Sequence, residues 1–211
     1  MHGHGTMIDY TRFCADEDDP RMYLQKPWRT AEGIVYCNGK ILVCVPDDGK
    51  EHAPAKLTME DTVTRFTRNW PATGESVNMQ ALVLPAARAC PDCRGNGYLW
   101  VLPCESCDGN GVFKHYGHEY GCRECEGCGY ASLSQFTDLS GNKSAKRQKC
   151  SECDGYGDQS PSVALGNAFF ARHYLAMIAE LPGCKLWPNG AHAGFAFTFD
   201  GGYGWLMPRS S

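Results

Sequence analysis

The sequence predicts an α+β fold in which a small metal-binding module is inserted into a larger domain. Glycine and cysteine repeats are confined to 87–158, whereas apolar alternation and amphipathic segments occupy 1–86 and 159–211. The two outer segments each carry patterns typical of a strand, a helix and a hairpin. A chain that leaves a domain and returns close by is the usual geometry of an inserted module. We therefore expect one discontinuous domain, 1–86 with 159–211, and a second domain at 87–158.

The composition is that of a globular protein. Of the 211 residues, 43% are hydrophobic and the formal net charge is -4, which gives no overall attraction to nucleic acid or to a membrane surface. No segment approaches the roughly 20 consecutive apolar residues that span a bilayer. The N-terminal residues lack the basic and then apolar succession of a secretory signal. The sequence therefore predicts a cytoplasmic protein without a membrane partner.

The first outer segment contains a strong hairpin signal at 33–45. Two β-rich runs flank Asn38-Gly39, a dipeptide typical of two-residue hairpin turns. A turn there divides the apolar side chains into two faces: Ile34, Tyr36, Ile41 and Val43 on one, and Val35, Cys37, Leu42 and Cys44 on the other. Because both faces are apolar, we expect a helix or another protomer to cover each of them.

An amphipathic helix is predicted over 57–70. Thr58 is suited to cap its N-terminus, and Glu60 and Asp61 would lie in the first turn, where carboxylates complement the helix dipole. Four apolar side chains fall on one stripe at helical spacing: Met59, Val63, Phe66 and Trp70. This stripe predicts a helix that faces the core, with its basic residues on a solvated flank.

The remaining outer elements lie on both sides of the insertion. The pattern predicts a short strand at 79–85, extended chain at 162–170 and a helix at 172–181 that ends at Pro182-Gly183. Near the end of the chain, every second residue is aromatic or apolar on each side of a turn predicted at 200–202. These residues are Phe195, Phe197 and Phe199 before the turn, and Tyr203, Trp205 and Met207 after it. This pattern predicts a hairpin with an aromatic core face.

Eight of the thirteen cysteines lie in four copies of one eight-residue motif, CxxCxGxG. The copies, called knuckles below, are CPDCRGNG (90–97), CESCDGNG (104–111), CRECEGCG (122–129) and CSECDGYG (150–157). Two thiolates three positions apart reach one zinc ion at about 2.3 Å, and two such turns complete a closed tetrahedron. The first glycine allows a positive φ that points backbone amides toward sulfur, and the second lets the following strand leave without a clash. Four knuckles therefore predict two structural zinc ions in a reduced compartment.

The four knuckles resemble the cysteine-rich domain of DnaJ-family co-chaperones. The resemblance covers about a third of the chain and implies that the first knuckle pairs with the fourth and the second with the third. One zinc would then be held by Cys90, Cys93, Cys150 and Cys153, and the other by Cys104, Cys107, Cys122 and Cys125. The spacing agrees, since 108–121 can form a hairpin between the second and third knuckles. No His-Pro-Asp tripeptide occurs, so a co-chaperone role is not expected, although client binding stays an alternative.

The outer domain is similar to the closing part of a bacterial DNA polymerase sliding clamp, the beta subunit. Tyr174-Leu175 lie in a helix entered from a strand, and Met207-Pro208 close the last strand, as in that family. The hairpin at 33–45 resembles the clamp hairpin. The resemblance implies a clamp-like fold, and a single-domain chain would have to self-assemble to encircle DNA. It also suggests a small accessory protein of phage origin.

Other candidate ligands and contacts need separate mention. Cys128 creates a second CxxC register with Cys125, so it is an alternative ligand in the third knuckle. Residues 88–158 hold eight basic and ten acidic side chains, which opposes nucleic-acid binding driven by overall charge. A local basic loop is the exception and is a candidate partner or nucleic-acid contact: Lys143, Lys146, Arg147 and Lys149.

The sequence favours a binding protein over an enzyme, with a protein partner expected first and DNA second. Closed four-sulfur sites leave no position for a reactive water, and no GxSxG, HExxH or GxxxxGK[ST] pattern occurs. The enzymatic alternative is thiol–disulfide exchange, because CxxC is also a redox motif. The sequence does not predict the thioredoxin-like βαβ context of that chemistry.

Overall fold

The computed structural model of the chain describes residues 8–17, 19–68, 74–131, 142, 144–188 and 194–209. The chain divides into two compact units, an outer unit of Met1–Ala86 with Pro161–Ser211 and an inserted unit of Ala87–Ser160. The fold is of the α+β class, as predicted. Neither α-helix of the described chain has the length and apolar character that crossing a bilayer requires.

The strands of the described chain are short, and two α-helices accompany them. In chain order the strands are β1 (Trp28–Thr30), β2 (Gly33–Cys37), β3 (Ile41–Val45), β4 (Ala53–Pro54), β5 (Val77–Asn78), β6 (Tyr98–Val101), β7 (Val112–His115), β8 (His118–Gly121), β9 (Lys146–Lys149), β10 (Val163–Leu165), β11 (Ala168–Phe170), β12 (Lys185–Leu186), β13 (Phe195–Phe199) and β14 (Gly202–Leu206). The helices are α1 (Leu57–Arg68) and α2 (Arg172–Ala179).

The outer unit is built on one eight-stranded sheet in the order β4-β1-β2-β3-β14-β13-β12-β5. Each helix covers one face. Leu175 and Ile178 of α2 belong to a buried cluster with Ile34 and Phe197. Val63 of α1 belongs to a second cluster on the other face, with Trp28, Val35, Leu42 and Trp205. The prediction that both faces of the β2–β3 hairpin are covered is confirmed, and helices from the same chain supply the cover.

The β2–β3 turn lies one residue later than the sequence predicts. Cys37 pairs with Leu42, so Gly39 and Lys40 are the central residues of the turn. The Asn38 side chain determines this position, because its Oδ1 accepts hydrogen bonds from the backbone N–H groups of Lys40 at 2.9 Å and Ile41 at 3.0 Å. Relative to the predicted turn, the cross-strand register shifts by two residues. A shift of two keeps every side chain on the same face, so the predicted assignment of side chains to faces is correct.

Helix α1 begins at Leu57, so Thr58 lies in its first turn and the prediction that Thr58 is the cap is wrong. The N–H groups of Met59 and Glu60 bond instead to the carbonyl of Lys56. On the predicted apolar stripe, Val63 is buried and Met59 is half-buried. The side chain of Phe66 and the whole of Trp70 lie outside the described residues.

The terminal hairpin corrects the prediction of a single aromatic face. Phe197 pairs with Gly204 and Ala196 with Trp205, so the phenylalanines and the Tyr203–Trp205 pair lie on opposite faces of the sheet. The turn has two residues, Asp200 and Gly201, rather than the three predicted, and this reverses the parity of the second strand. Gly202 and Gly204 instead lie across from the phenylalanine rings and leave room for them.

Two shorter predictions also need correction. The strand expected at 79–85 is the two-residue β5 at Val77–Asn78, followed by a turn and irregular chain. The extended segment expected at 162–170 is the β10–β11 hairpin, which turns at Gly166 with φ +59°. The cause is the same in both places: apolar alternation continues through a glycine or a turn that breaks the strand.

The inserted unit is a ladder of short antiparallel pairs. From its base the succession is an Ala89–Asp158 bridge, the β6–β9 pair, a Pro103–Tyr130 bridge and the β7–β8 hairpin. Among the described residues of this unit, the buried apolar side chains are the eight knuckle cysteines, with Leu99 partly buried against one group. A unit with so little apolar core depends on some other source of folding free energy.

Candidate metal centres

The structure gathers eight cysteines into two groups of four. The first group is Cys90, Cys93, Cys150 and Cys153, and the second is Cys104, Cys107, Cys122 and Cys125. All four residues of each group are buried, and within each group the sulfur atoms lie within 4.8 Å of one another. The first knuckle therefore meets the fourth and the second meets the third.

The sulfur separations fit a tetrahedral metal ion. A zinc–sulfur bond of about 2.3 Å implies tetrahedral sulfur–sulfur distances of about 3.8 Å. In the first group, the Sγ atoms of Cys90 and Cys150 are 3.9 Å apart and those of Cys93 and Cys153 are 3.6 Å apart. In the second group the corresponding pairs are 3.9 and 3.7 Å apart. Each group could hold one metal ion, and four sulfur ligands favour a thiophilic metal.

Each knuckle aims one backbone amide at its second cysteine. The N–H of the second glycine donates to the Sγ four residues earlier, for example from Gly97 to Cys93 at 3.1 Å. The same bond is 3.2 Å long in the other three knuckles. Sequence reasoning expected the glycines to direct amides toward sulfur, but assigned that part to the first glycine rather than the second. The repeated bond stabilises thiolate at the same sulfur of every knuckle.

The turn that makes this bond uses a left-handed residue that is not glycine. Arg94, Asp108, Glu126 and Asp154 all have φ between 51° and 56°. Each of them follows the second cysteine and precedes the first glycine. Sequence reasoning missed this position, because the four residues share neither size nor charge. Only their common place in the repeat marks them.

The backbone also pairs the knuckles, independently of sulfur. The N–H of Cys90 donates to the carbonyl of Gly157 at 2.8 Å, and the N–H of Cys150 donates to the carbonyl of Gly97 at 2.9 Å. The second and third knuckles repeat this exchange through Cys104 with Gly129 and Cys122 with Gly111. The chain thus forms each site from two reciprocal turns, and the same pairing positions the four sulfurs.

The two glycines of a knuckle differ in the space around them, which gives a testable contrast. A methyl group on Gly97 would overlap the carbonyl oxygen of Gly155, whereas one on Gly95 would meet Ala89 Cβ at 3.5 Å and the Gly157 carbonyl oxygen at 4.0 Å. Both glycines have positive φ, +76° and +87°. We expect Gly97→Ala to abolish metal retention at the first site and Gly95→Ala to weaken it mildly, because only the first separates the paired turns. Metal content after dialysis against a weak chelator checks this, and equal losses would contradict it.

Protonation competes with a metal at these sulfurs. Burial raises the pKa of Cys153 to about 12 and that of Cys107 to about 11. At Cys125 burial acts in the same direction, but the Gly129 amide and the neighbouring sulfurs outweigh it and lower the pKa to about 7. A metal ion must displace the protons of the raised thiols, so its affinity falls as the pH falls.

The other thiols lie outside these groups. Cys128 is exposed, and its Sγ lies 3.4 Å from the carbonyl of Tyr130 rather than among the four sulfurs of the second group. The alternative register through Cys128 is therefore not the one adopted. In the outer unit, burial raises the pKa of Cys14 to about 11 and that of Cys184 to about 12, so both are protonated at neutral pH.

The basic cluster is part of a strand rather than a loop. Lys146, Arg147 and Lys149 belong to β9, which pairs with β6, and Lys143 lies outside the described residues. Because side chains alternate along a strand, Arg147 and Lys149 share one face and Lys146 lies on the other. The structure thus divides a group that the sequence placed together.

A cavity of about 530 Å³ lies in the outer unit between α1 and the sheet. Its described lining combines the aromatic rings of Tyr23, Trp28 and Trp205 with cationic side chains, among them Lys40 and Lys56. No carboxylate or imidazole is among the lining side chains that the structure describes.

Comparisons with protein families, with curated proteins and with solved structures give no match to this chain. The two four-cysteine groups and the sheet are therefore interpreted from their own geometry.

Proposed function

We propose that the inserted unit is a two-zinc module in which both ions are structural, and that the chain acts as a binding protein. The observation that carries this proposal is the closed pair of four-sulfur groups, in which every sulfur is buried. Four thiolates fill the tetrahedron that zinc prefers, which leaves no position for water or substrate. When bound, zinc supplies folding free energy and charge neutralisation rather than Lewis-acid chemistry.

The residues of the module position the sulfur ligands and expose the surface that a partner would contact. The paired backbone turns preorganise the sulfurs, the amides of the second glycines stabilise thiolate, and the two strand pairs project exposed side chains from each site. Phe113, Tyr116 and Tyr120 are exposed on or beside the β7–β8 hairpin, and Trp100 is exposed on β6. Exposed aromatic side chains on a zinc-held framework are typical of recognition surfaces. These features support a role in which the metal sites present a surface to a partner.

The outer unit is the second folded unit of this proposed binding protein. Its likeness to a sliding-clamp domain and an accessory role of phage origin stay proposals, supported by the sequence patterns at 33–45 and 172–208. A clamp-like role would require several copies to form a ring around DNA. The subunit number therefore separates a clamp-like assembly from a docking adaptor, and a protein partner is the first expectation for the latter.

Metal content and thiol reactivity test the proposal together. Native mass spectrometry of protein purified without added metal is expected to show two zinc ions per chain and also gives the subunit number. Ellman's reagent is expected to titrate one thiol rapidly, the exposed Cys128, while zinc protects the eight clustered sulfurs. Chelation followed by titration should add those eight. Rapid reaction of the clustered sulfurs before chelation, or disulfides in place of zinc, would contradict the proposal.

Thiol–disulfide exchange is the enzymatic alternative, and the same sample tests it. Zinc-bound thiolates are occupied, and the raised pKa values of Cys14 and Cys184 leave little thiolate at neutral pH. Since exchange requires a thiolate nucleophile, we expect no turnover in an insulin-reduction assay with zinc retained. Robust turnover that a Cys128→Ser variant loses would favour the enzyme instead.

A further inference from the structure

We propose that one face of the β6–β9 pair binds single-stranded nucleic acid. Tyr98 and Trp100 would stack on bases, and Arg147 and Lys149 would contact phosphates. The proposal rests on the proposed function, because the first four-cysteine site fixes the position of this pair. We call the surface formed by these four residues the stacking face.

The pairing register places rings and cations together. Tyr98 lies across from Lys149, and Trp100 lies across from Arg147. Residues directly opposite in an antiparallel pair share a face, and positions two apart on one strand also share it. The stacking face therefore has a row of two rings on β6 beside a row of two cations on β9. The two rings are about 7 Å apart along β6.

The first metal site determines which way this face points. Leu99 is partly buried against the group of Cys90, Cys93, Cys150 and Cys153. Since β6 alternates, packing of Leu99 toward the sulfurs directs Tyr98 and Trp100 to the opposite side. The sequence alone does not show that these side chains share a face, because Arg147 lies 47 residues after Trp100.

Trp100 and Arg147 are exposed on this face, whereas Tyr98 and Lys149 are half-buried. Trp100 is 42% exposed. The Arg147 guanidinium carbon lies 3.8 Å from the centre of the Tyr98 ring, and Lys149 Nζ lies 6.0 Å from the centre of the neighbouring Tyr156 ring, which is 37% exposed. Cations held beside aromatic rings are the arrangement that single-strand-binding proteins use, because every base offers a π-face and every nucleotide a phosphate.

Charge argues for a local, salt-sensitive contact. The residues 88–158 are acidic overall, and the exposed Asp154 lies 4.0 Å from the half-buried Lys149. Surface ion pairs contribute little free energy, so this one does not prevent a phosphate contact. A duplex hides the faces of its bases, so the stacking face offers it only the two cations. We therefore expect preference for a single strand.

The β7–β8 hairpin provides a matched control within the same unit. Phe113 lies across from Tyr120, and both are exposed. The cation of that hairpin, Lys114, lies on the other face, 3.2 Å from Glu119. This second aromatic pair of the hairpin therefore has rings without a lysine or arginine on the same side.

Fluorescence anisotropy with a labelled oligothymidylate of about 16 nucleotides tests the proposal on the full zinc-loaded chain. The expected dissociation constant is about 10⁻⁴–10⁻⁶ M, and its logarithm should depend on the logarithm of salt concentration with a slope of magnitude about 1.4 for two phosphate contacts. Trp100→Ala should weaken binding roughly 5- to 160-fold without changing the slope. Arg147→Gln should reduce the slope by about 0.7.

The outcomes separate the two proposals. Phe113→Ala with Tyr120→Ala should leave oligonucleotide binding unchanged, and a duplex of the same length should bind more weakly. Equal losses from both aromatic variants, equal binding of duplex, or no binding by wild-type chain that retains two zinc ions would overturn the stacking face alone. Absence of zinc from the wild-type chain would overturn the proposed function itself. Zinc content measured on every variant shows that its fold is intact.

Discussion

Replacing Cys90 with serine is expected to release one zinc ion and to unfold the base of the inserted unit, while the outer unit stays folded. A structural zinc site contributes on the order of 10–16 kcal/mol of apparent binding free energy, and this unit has little apolar core to replace it. The outer unit has its own buried clusters on both faces of its sheet. We therefore expect limited proteolysis to cut within 87–160 and to spare the outer unit.

The two sites should respond differently to such substitutions. Cys104 and Cys122 are separated by 18 residues, whereas Cys90 and Cys150 are separated by 60. Loop-closure entropy makes the longer closure less favourable by about 1 kcal/mol. Cys90→Ser should therefore leave the second site loaded, and Cys104→Ser should both empty its own site and weaken the first.

Zinc stoichiometry from native mass spectrometry and backbone NMR of each variant measure these effects. Cys128→Ser is the matched control, because Cys128 lies in the same repeat but outside both sulfur groups. It should retain two zinc ions and the wild-type spectrum. Retention of both ions by Cys90→Ser, or collapse of the outer unit along with the inserted one, would contradict the expectation.

Local features of this fold could be predicted because they follow from short-range rules. The faces of the β2–β3 hairpin follow from strand parity, and the prediction survived a turn displaced by one residue because the register moved by two. The same rule failed at the terminal hairpin, where one residue fewer in the turn sent Tyr203 and Trp205 to the other face. Parity predicts a face only when the length of the turn is known.

Long-range features could not be derived from local rules, and only the family resemblance predicts that the first knuckle pairs with the fourth. The order of strands in the sheet joins β3 to β14 across most of the chain, and the stacking face depends on pairing between the first and fourth knuckles. The repeat itself indicated metal ligation, since only the spacing of the cysteines is needed for that prediction. The amides that reach sulfur and the left-handed residues such as Arg94 required the folded turn.

Gly204→Ala is expected to destabilise the outer unit strongly. A methyl group on Gly204 would overlap both the carbonyl oxygen of Leu42 and the ring of Phe197. The ring is fully buried and the carbonyl belongs to the neighbouring strand, so neither obstacle can move freely. Overpacking a core lowers the free energy of unfolding by about 1–3 kcal/mol. Because the methyl group would overlap two groups here, we expect a loss at the upper end of that range, about 3 kcal/mol.

Urea denaturation followed by tryptophan fluorescence measures this loss, since Trp28 and Trp205 are buried in the outer unit. Gly201→Ala is the control in the same hairpin, because its methyl group would meet nothing within 4 Å although φ is +101°. Gly201→Ala therefore causes no steric overlap and costs only the backbone strain of a non-glycine residue at positive φ, of order 1–3 kcal/mol. Replacement of Phe197 by leucine in the Gly204→Ala background should restore only part of the stability, because the Leu42 carbonyl remains. Complete restoration would show that the ring is the sole obstacle, and an unchanged midpoint for Gly204→Ala would mean that β3 and β14 separate at little cost.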